Sequence, residues 1–295
     1  MKDTPCMRWS RGGRQSWRRR RDGGFDSRLY EVREIWTRQA KPFVVGTHYL
    51  GSMPSDKRNY GLFEMAAGRL VGVAVLSTPT SEKTIPAVFP ELDPKEAAEL
   101  GRFVLLDRVP ANAESWTLGR VRELAAGPSE LDPDKPLLRG LVMFSDPVAR
   151  RRADGTLITP GHCGTIYQAS GCRYLGMSDA STEALLPDGT VFGRRTAQKI
   201  RAQEQGHGYA ERRLIALGAR PMRPGERPAA WLREALDAAG ARTFRHPGKH
   251  KYAIGLGATR AQRAEVLIAG ARDHRFYPKR DLGQLDLFSG SGEDA

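Results

Sequence analysis

Residues 99–124 read ELGRFVLLDRVPANAESWTLGRVREL. The first part, GRFVLLD, is a short buried strand by its apolar run. Pro110 and Asn112 punctuate a turn, and SWTLGRVRELAAG reads as a helix that stops at Gly127. A strand that feeds a helix through a tight turn leaves the helix's first backbone N–H groups at the strand's end. Those groups lie at Asn112, Ala113, Glu114 and Ser115. They lack intrahelical acceptors and carry the positive end of the helix dipole, which suits a pyrophosphate. An ordinary N-cap by Asn112 or Ser115 is the competing reading. Neither GxGxxG nor GxxxxGK[ST] occurs, so a Rossmann or P-loop cradle is not supported.

Around this unit the first 180 residues alternate short strands with two principal helices. LYEVREI, GLFEMA, RLVGVAVLS, LLRGLVMFSD, CGTIYQA and RYLGMSD read as strands. GLFEMA and RLVGVAVLS flank an Ala-Gly hairpin signal. TRQAKPFVVGTHYLG reads as a helix interrupted or ended near Pro42, and residues 78–94 as a Pro- and Ser-rich connection. The expected class is α/β or α+β with a mostly antiparallel sheet flanked by helices. Beyond residue 190 the texture turns basic and mainly helical, with a returning strand at 249–257 and a last helix in TRAQRAEVLIAGAR. Four regions are expected: an arm over 1–26, a catalytic core over 27–180, a basic helical extension over 181–280 and a tail over 281–295.

The chain has 295 residues and a formal net charge of +13, which favours a polyanionic partner because Lys and Arg release counterions from phosphates. The stretch RWSRGGRQSWRRRR reads as a disordered basic arm on which Trp9 and Trp17 could stack on bases. No apolar run reaches the length of a membrane span and no signal core opens the chain, so a cytoplasmic protein is expected. Cys6, Cys163 and Cys172 cannot all pair and match no zinc spacing, which suits a reducing compartment.

Residues 162–176, HCGTIYQASGCRYLG, carry small and hydroxyl residues with hardly any charge. They read either as a well-packed strand or as the wall of a pocket for a flat, polar, neutral group. Asp146 closes the strand at MFSD, as an active-site carboxylate or as a turn Asp before Pro147. His48 follows the first helix and is a candidate metal ligand with Asp146 or His162, or a structural histidine. Tyr49 and Tyr60 are candidate proton donors or stacking residues. Cys163 and Cys172 read as small core residues.

EL-R-V-P-N-ES, FSD, GTIYQAS with the following Tyr174, and GKHKYAI occur in an order that resembles the Mom family. These are the DNA-modification proteins of phage Mu and its relatives, similar to GNAT acetyltransferases. The resemblance covers residues 40–256. It implies a GNAT-like mixed sheet with helices on both faces, splayed where an acyl-CoA inserts. It implies conversion of adenine in duplex DNA to N6-(carbamoylmethyl)adenine, which protects phage DNA from restriction, with acetyl-CoA as cofactor and iron also implicated. On that reading Asn112–Ser115 hold the CoA pyrophosphate. Asp146 acts as base or metal ligand with His48. Tyr167, Gln168, Ser170 and Tyr174 hold a flipped adenine, and Arg194, Arg195, Lys199, Arg212 and Arg213 track the DNA backbone. One departure is DPVARRRADGTLITPGH, an extra basic hairpin that brings Arg150–Arg152 towards phosphates.

Two rival functions stand beside this one: an N-acetyltransferase for a small-molecule or protein amine, and a non-catalytic DNA-binding protein. In the tail, Gln284-Leu285-Asp286-Leu287-Phe288 resembles the pentapeptide by which bacterial replication and repair proteins bind the sliding clamp. Self-docking of that apolar knot is the alternative.

Overall fold

The computed structural model describes residues 6–9, 15–18 and 24–279. In chain order the elements are β1 (Cys6–Trp9), β2 (Gln15–Arg18), β3 (Tyr30–Ile35), α1 (Thr37–Thr47), β4 (Asp56–Glu64), β5 (Arg69–Ser77), α2 (Thr84–Val88), β6 (Ala97–Leu105), α3 (Ala113–Ala125) and β7 (Gly140–Ser145). They continue as β8 (Arg150–Arg151), β9 (Leu157–Thr159), α4 (Thr165–Ala169), β10 (Arg173–Met177), β11 (Ser181–Leu185), β12 (Val191–Phe192), α5 (Arg194–Arg201), α6 (His207–Ala216), α7 (Pro228–Ala238), β13 (Arg242–His246), β14 (His250–Gly255) and α8 (Arg260–Glu265). Two compact units result. The first draws its described residues from positions up to 147, from 162–178 and from 249 onward; the second draws them from 148–161 and 179–248.

The first unit is built on a seven-stranded sheet in the order β10-β14-β7-β6-β5-β4-β3. Every neighbouring pair is antiparallel except β6–β7. Alternation along the central strands assigns the two faces. Val73 and Val75 of β5 pack with Ala40 and Val44 of α1. Ala74 and Leu76 pack with Leu118 and Val121 of α3. Further along the sheet, Val142 and Ala253 pack with Ile85 and Val88 of α2, while Leu141, Met143 and Tyr252 pack with Tyr167 of α4. Both faces are therefore covered by helices, and the mixed, mostly antiparallel sheet expected from the sequence is present.

Several local expectations are corrected. α1 runs through Pro42 instead of ending there. An interior proline costs roughly 3 kcal/mol, and the complete burial of Ala40 and Val44 on either side of it offsets that cost. CGTIYQA is not a strand: Thr165–Ala169 form α4, which opens at Gly164 with φ 76°. A Cβ at Gly164 would meet Tyr252 at 2.7 Å and Ser145 Oγ at 2.8 Å, so both the turn and the packing require glycine. Residues 78–94 contain α2, and the last helix is only Arg260–Glu265. Within the arm expected to be disordered, β1 and β2 pair antiparallel from Cys6↔Arg18 to Trp9↔Gln15. The clamp-like residues Gln284–Phe288 lie outside the described residues.

The second unit has a three-stranded sheet, β12-β11-β13, and the short ladder β8–β9. α5, α6 and α7 enclose its own core of Phe192, Ile200, Leu214, Trp231 and Leu232. Trp231 is fully buried and its indole N–H donates to Arg220 O at 2.9 Å. No described helix is long and apolar enough to cross a membrane. Replacing Trp231 by Ala should cost about 3–5 kcal/mol in the second unit. Native-state hydrogen exchange is the check: amides of α6 and α7 should lose protection while those of β7 keep theirs. Equal loss in β7 would show the two cores to unfold as one.

Candidate active site

The site grows from the single parallel pair in the sheet. β6 and β7 are joined only at Ala97↔Gly140, Ala98↔Leu141 and Glu99↔Val142, although β6 runs on to Leu105 and β7 to Ser145. The strands part after Glu99. At the same place β6 carries a bulge against β5: Leu76 pairs with Leu100, but Val75 pairs with Arg102, so Gly101 is the extra residue. A bulge bends its strand and re-aims the side chains beside it.

Two charged residues flank that bulge. Burial pushes the Glu99 carboxyl above its ordinary range, with Lys249 and then Arg102 opposing. Among the described residues no ion pair holds this carboxylate. Arg102 turns the other way and pins the segment after α1. Its Nε donates to Ser52 O at 2.9 Å and its Nη2 to Ser52 Oγ at 3.0 Å. That segment carries His48 and Tyr49, whose rings stack at 4.3 Å. Burial first, then the charges of Arg102 and His162, drive the His48 pKa down to about 3. Its Nδ1 accepts from the Leu50 N–H at 3.1 Å. The neutral ring therefore carries its proton on Nε2.

Asp146 directly follows β7, which ends at Ser145, and its carbonyl accepts from the His162 N–H at 2.7 Å. The long excursion between them thus closes on itself, and His162 returns near enough to His48 for its charge to be felt. Tyr167 projects from α4 into the core, where burial and the nearby charges of Tyr49, Cys172 and Glu99 raise its pKa far above the ordinary tyrosine value. His48 thus lies within electrostatic reach of Arg102 and His162, and Tyr167 within reach of Tyr49 and Glu99.

Other expected site residues are committed elsewhere. The Gln168 amide donates to Tyr252 Oη and Pro278 O, each at 2.9 Å, and to Cys163 O at 3.4 Å, so its donors serve the protein and not a base edge. The Tyr174 hydroxyl lies 3.0 Å from His250 Nδ1 and its ring is buried. Ser170 Oγ is buried without a hydrogen-bond partner among the described residues. Tyr60 is sealed in the core with its pKa raised to about 12 by burial, which removes it as a proton donor. Cys172 is a buried thiol whose pKa burial pushes up to about 12.

At the start of α3, Asn112 adopts φ 72° and its side chain caps nothing, while Ala113 is fully buried. Ser115 Oγ donates to Asn112 O at 3.2 Å, and Glu114 is paired with Arg8 at 2.6 Å. Arg8 thus holds the Glu114 carboxylate in the first turn of α3. In the second unit, Arg195 pairs with Glu204 and Arg213 with Asp188, while Arg150 is buried. Arg194, Lys199 and Arg212 make no ion pair among the described residues.

Iron does not fit these residues. Among the described residues no group of three or more His, Cys, Asp or Glu stands together so as to hold a metal ion. His48, one half of the expected ligand pair, has its Nδ1 lone pair engaged by Leu50.

The Mom family model matches residues 29–226. The chain belongs to the Mom family. That membership supports a DNA-modification function. No curated protein matches the chain. Among solved structures it is similar to a tandem GNAT protein from the clavulanic acid biosynthesis pathway, without AcCoA, at 9% identity and a TM-score of 0.31, over 84% of this chain and 81% of that one. A likeness of that size carries no argument about fold or activity. Glu99, Arg102 and Arg8 were not singled out from the sequence.

His48 sets a pH dependence of stability. Its folded pKa of about 3 lies below the ordinary 6.5, so the native state keeps the ring neutral while the unfolded chain binds a proton. The stabilisation is complete above pH 6.5 and is lost as pH falls towards 3. Between pH 7.5 and 5 the loss should be about 2 kcal/mol. Urea unfolding at the two pH values measures it. His48→Asn, which keeps an acceptor for the Leu50 N–H, should remove this part of the slope; an unchanged slope would assign it to other groups.

Proposed function

We propose that this chain converts adenine in double-stranded DNA to N6-(carbamoylmethyl)adenine, protecting phage DNA from restriction in the host cytoplasm, with acetyl-CoA as acyl source. The observation that carries the reading is the parting of β6 from β7 after Glu99, with α3 beginning eight residues after β6 ends at Leu105. The gap provides room between two strands, and the helix start provides N–H donors for a pyrophosphate. When bound, acetyl-CoA would supply the two-carbon unit: an amino donor takes the acyl carbon as the amide while the CoA thiolate leaves, and joining the methyl carbon to N6 requires a two-electron oxidant as a further co-reactant.

The chain's own residues then divide the remaining work. A base inside a duplex cannot reach a cleft, so the adenine must be flipped, at a cost of a few kcal/mol. With Gln168 and Tyr174 held internally, the Tyr49 ring, backed by His48, is the aromatic surface for the base. Glu99 accepts the proton of the N6 amino group as the new bond to nitrogen forms; its raised pKa makes it a better base than an exposed carboxylate. Asp146 and His162 border the same neighbourhood and orient the acceptor. Arg194, Lys199 and Arg212 contact the DNA backbone. Recruitment to a sliding clamp through Gln284–Phe288 belongs to the same proposal.

The test is nucleoside mass spectrometry of DNA from bacteria expressing the chain. A carbamoylmethyl adduct on deoxyadenosine is expected, and unmodified deoxyadenosine would overturn the reading. Glu99→Gln should lower the rate about 100-fold or more while leaving acetyl-CoA binding in place. The rate should rise with pH through the ionisation of Glu99, with the acid limb displaced above the ordinary Glu range, and Glu99→Gln should abolish that limb. A limb that survives would move the base to Asp146.

A further inference from the structure

Arg8 sits in β1, before the residues matched by the family model, yet its side chain is only 7% exposed. Its Nε donates to Glu114 Oε1 at 2.6 Å. Nη1 donates to Leu106 O at 3.0 Å, to Asp107 O at 3.3 Å and to Val109 O, and Nη2 donates to Pro110 O at 3.0 Å. Further along the same segment, Gly24 bridges to Ala111. One guanidinium thus gathers four carbonyls of the turn between β6 and α3, together with the carboxylate in the first turn of the helix.

This has two physical consequences. Carbonyl dipoles that converge on one point repel one another unless a cation stands there, so the turn's shape depends on the Arg8 charge. A trans peptide points its N–H opposite to its C=O. Carbonyls of Leu106, Asp107 and Pro110 drawn towards Arg8 therefore turn the N–H groups of Asp107, Arg108 and Ala111 away from it. Second, Glu114 would set a negative charge beside the helix start, where an anion is otherwise favoured. Arg8 cancels it.

We propose that Arg8 is a positioning residue that shapes the β6–α3 turn for an anionic ligand and neutralises Glu114, so that the N-terminal strand is a working part of the cofactor side of the site. This rests on the acetyl-CoA reading given above for its ligand, but not for its effect on the turn. The experiment uses the full chain with Arg8→Gln, Arg8→Lys, Glu114→Gln and the double variant Arg8→Gln/Glu114→Gln. Amide hydrogen exchange at residues 107–113 is read without ligand, with residues 140–145 of β7 as the folding control. Arg8→Gln should exchange about tenfold faster or more at 107–113 with β7 unchanged. Arg8→Lys, which keeps the charge but not the fork of donors, should fall between. Titration with acetyl-CoA should show KM raised about tenfold by Arg8→Gln with a smaller change in kcat. The double variant should recover only the part due to charge. Unchanged exchange at 107–113 in Arg8→Gln would overturn the proposal. Faster exchange there, with a native chain that binds no acetyl-CoA, would support the positioning role and overturn the cofactor reading instead.

Discussion

Three residue pairs between β6 and β7 carry the junction on which the first unit depends. Every other contact in the seven-stranded sheet is antiparallel and needs only a hairpin or a return; a parallel pair needs a crossover, and here α3 supplies it. The crossover fixes where α3 begins, and the bulge at Gly101 fixes where β6 leaves its neighbour. The bulge lies two residues beyond Glu99, and α3 begins fourteen residues beyond it. A charge that a continuous sheet would bury without recourse stands instead at an opening.

Packing holds that opening apart. On one face Val73 and Val75 rest on α1, and on the other Ala74 and Leu76 rest on α3. Gly164 lets Tyr252 and Tyr167 approach the same wall, with ring centroids 5.5 Å apart. Burial of this kind raises the pKa of Glu99 and Tyr167 and lowers that of His48, so the Tyr167 hydroxyl and the His48 ring stay neutral. Arg102 keeps its place in this setting because backbone and hydroxyl oxygens of the 49–53 segment receive its donors.

Much of the fold was legible because strand alternation and helix caps are local signals. The strand–turn–helix of residues 99–124 and the hairpin at Ala67-Gly68 lie where those signals put them. α4 was not, because five residues cannot display a helical period and Gly164 and Gly171 look alike whether they border a strand or a helix. Asp146 and His48 carried recognisable signals at element ends. Gln168 and Tyr174 also looked like binding residues, but their partners, Tyr252, Pro278 and His250, are about 80 to 110 positions away in the chain. Glu99 escaped notice because its importance comes from register: only the ladder says that β7 stops pairing there. Arg8 was hidden in a composition that argues for an arm.

The same lesson applies to charge. Arg58, 2% exposed, donates to the carbonyls of Ala125, Gly127 and Pro136 and so anchors the C-terminal end of α3, where the helix dipole favours a cation. Arg8 does the corresponding work on the turn before that helix, and Arg122 on α3 reaches Ser170 O at 2.7 Å beyond α4. In the second unit Arg220 is spent on Glu226 and Glu234. Guanidinium groups suit this role because each offers five donors in a fixed plane and stays charged when desolvated. A formal charge of +13 therefore overstates the surface field. What a phosphate backbone can meet is set by the cations left outside such contacts, and at these positions arginine acts first as a cross-link between segments that no hydrophobic contact would bring into register.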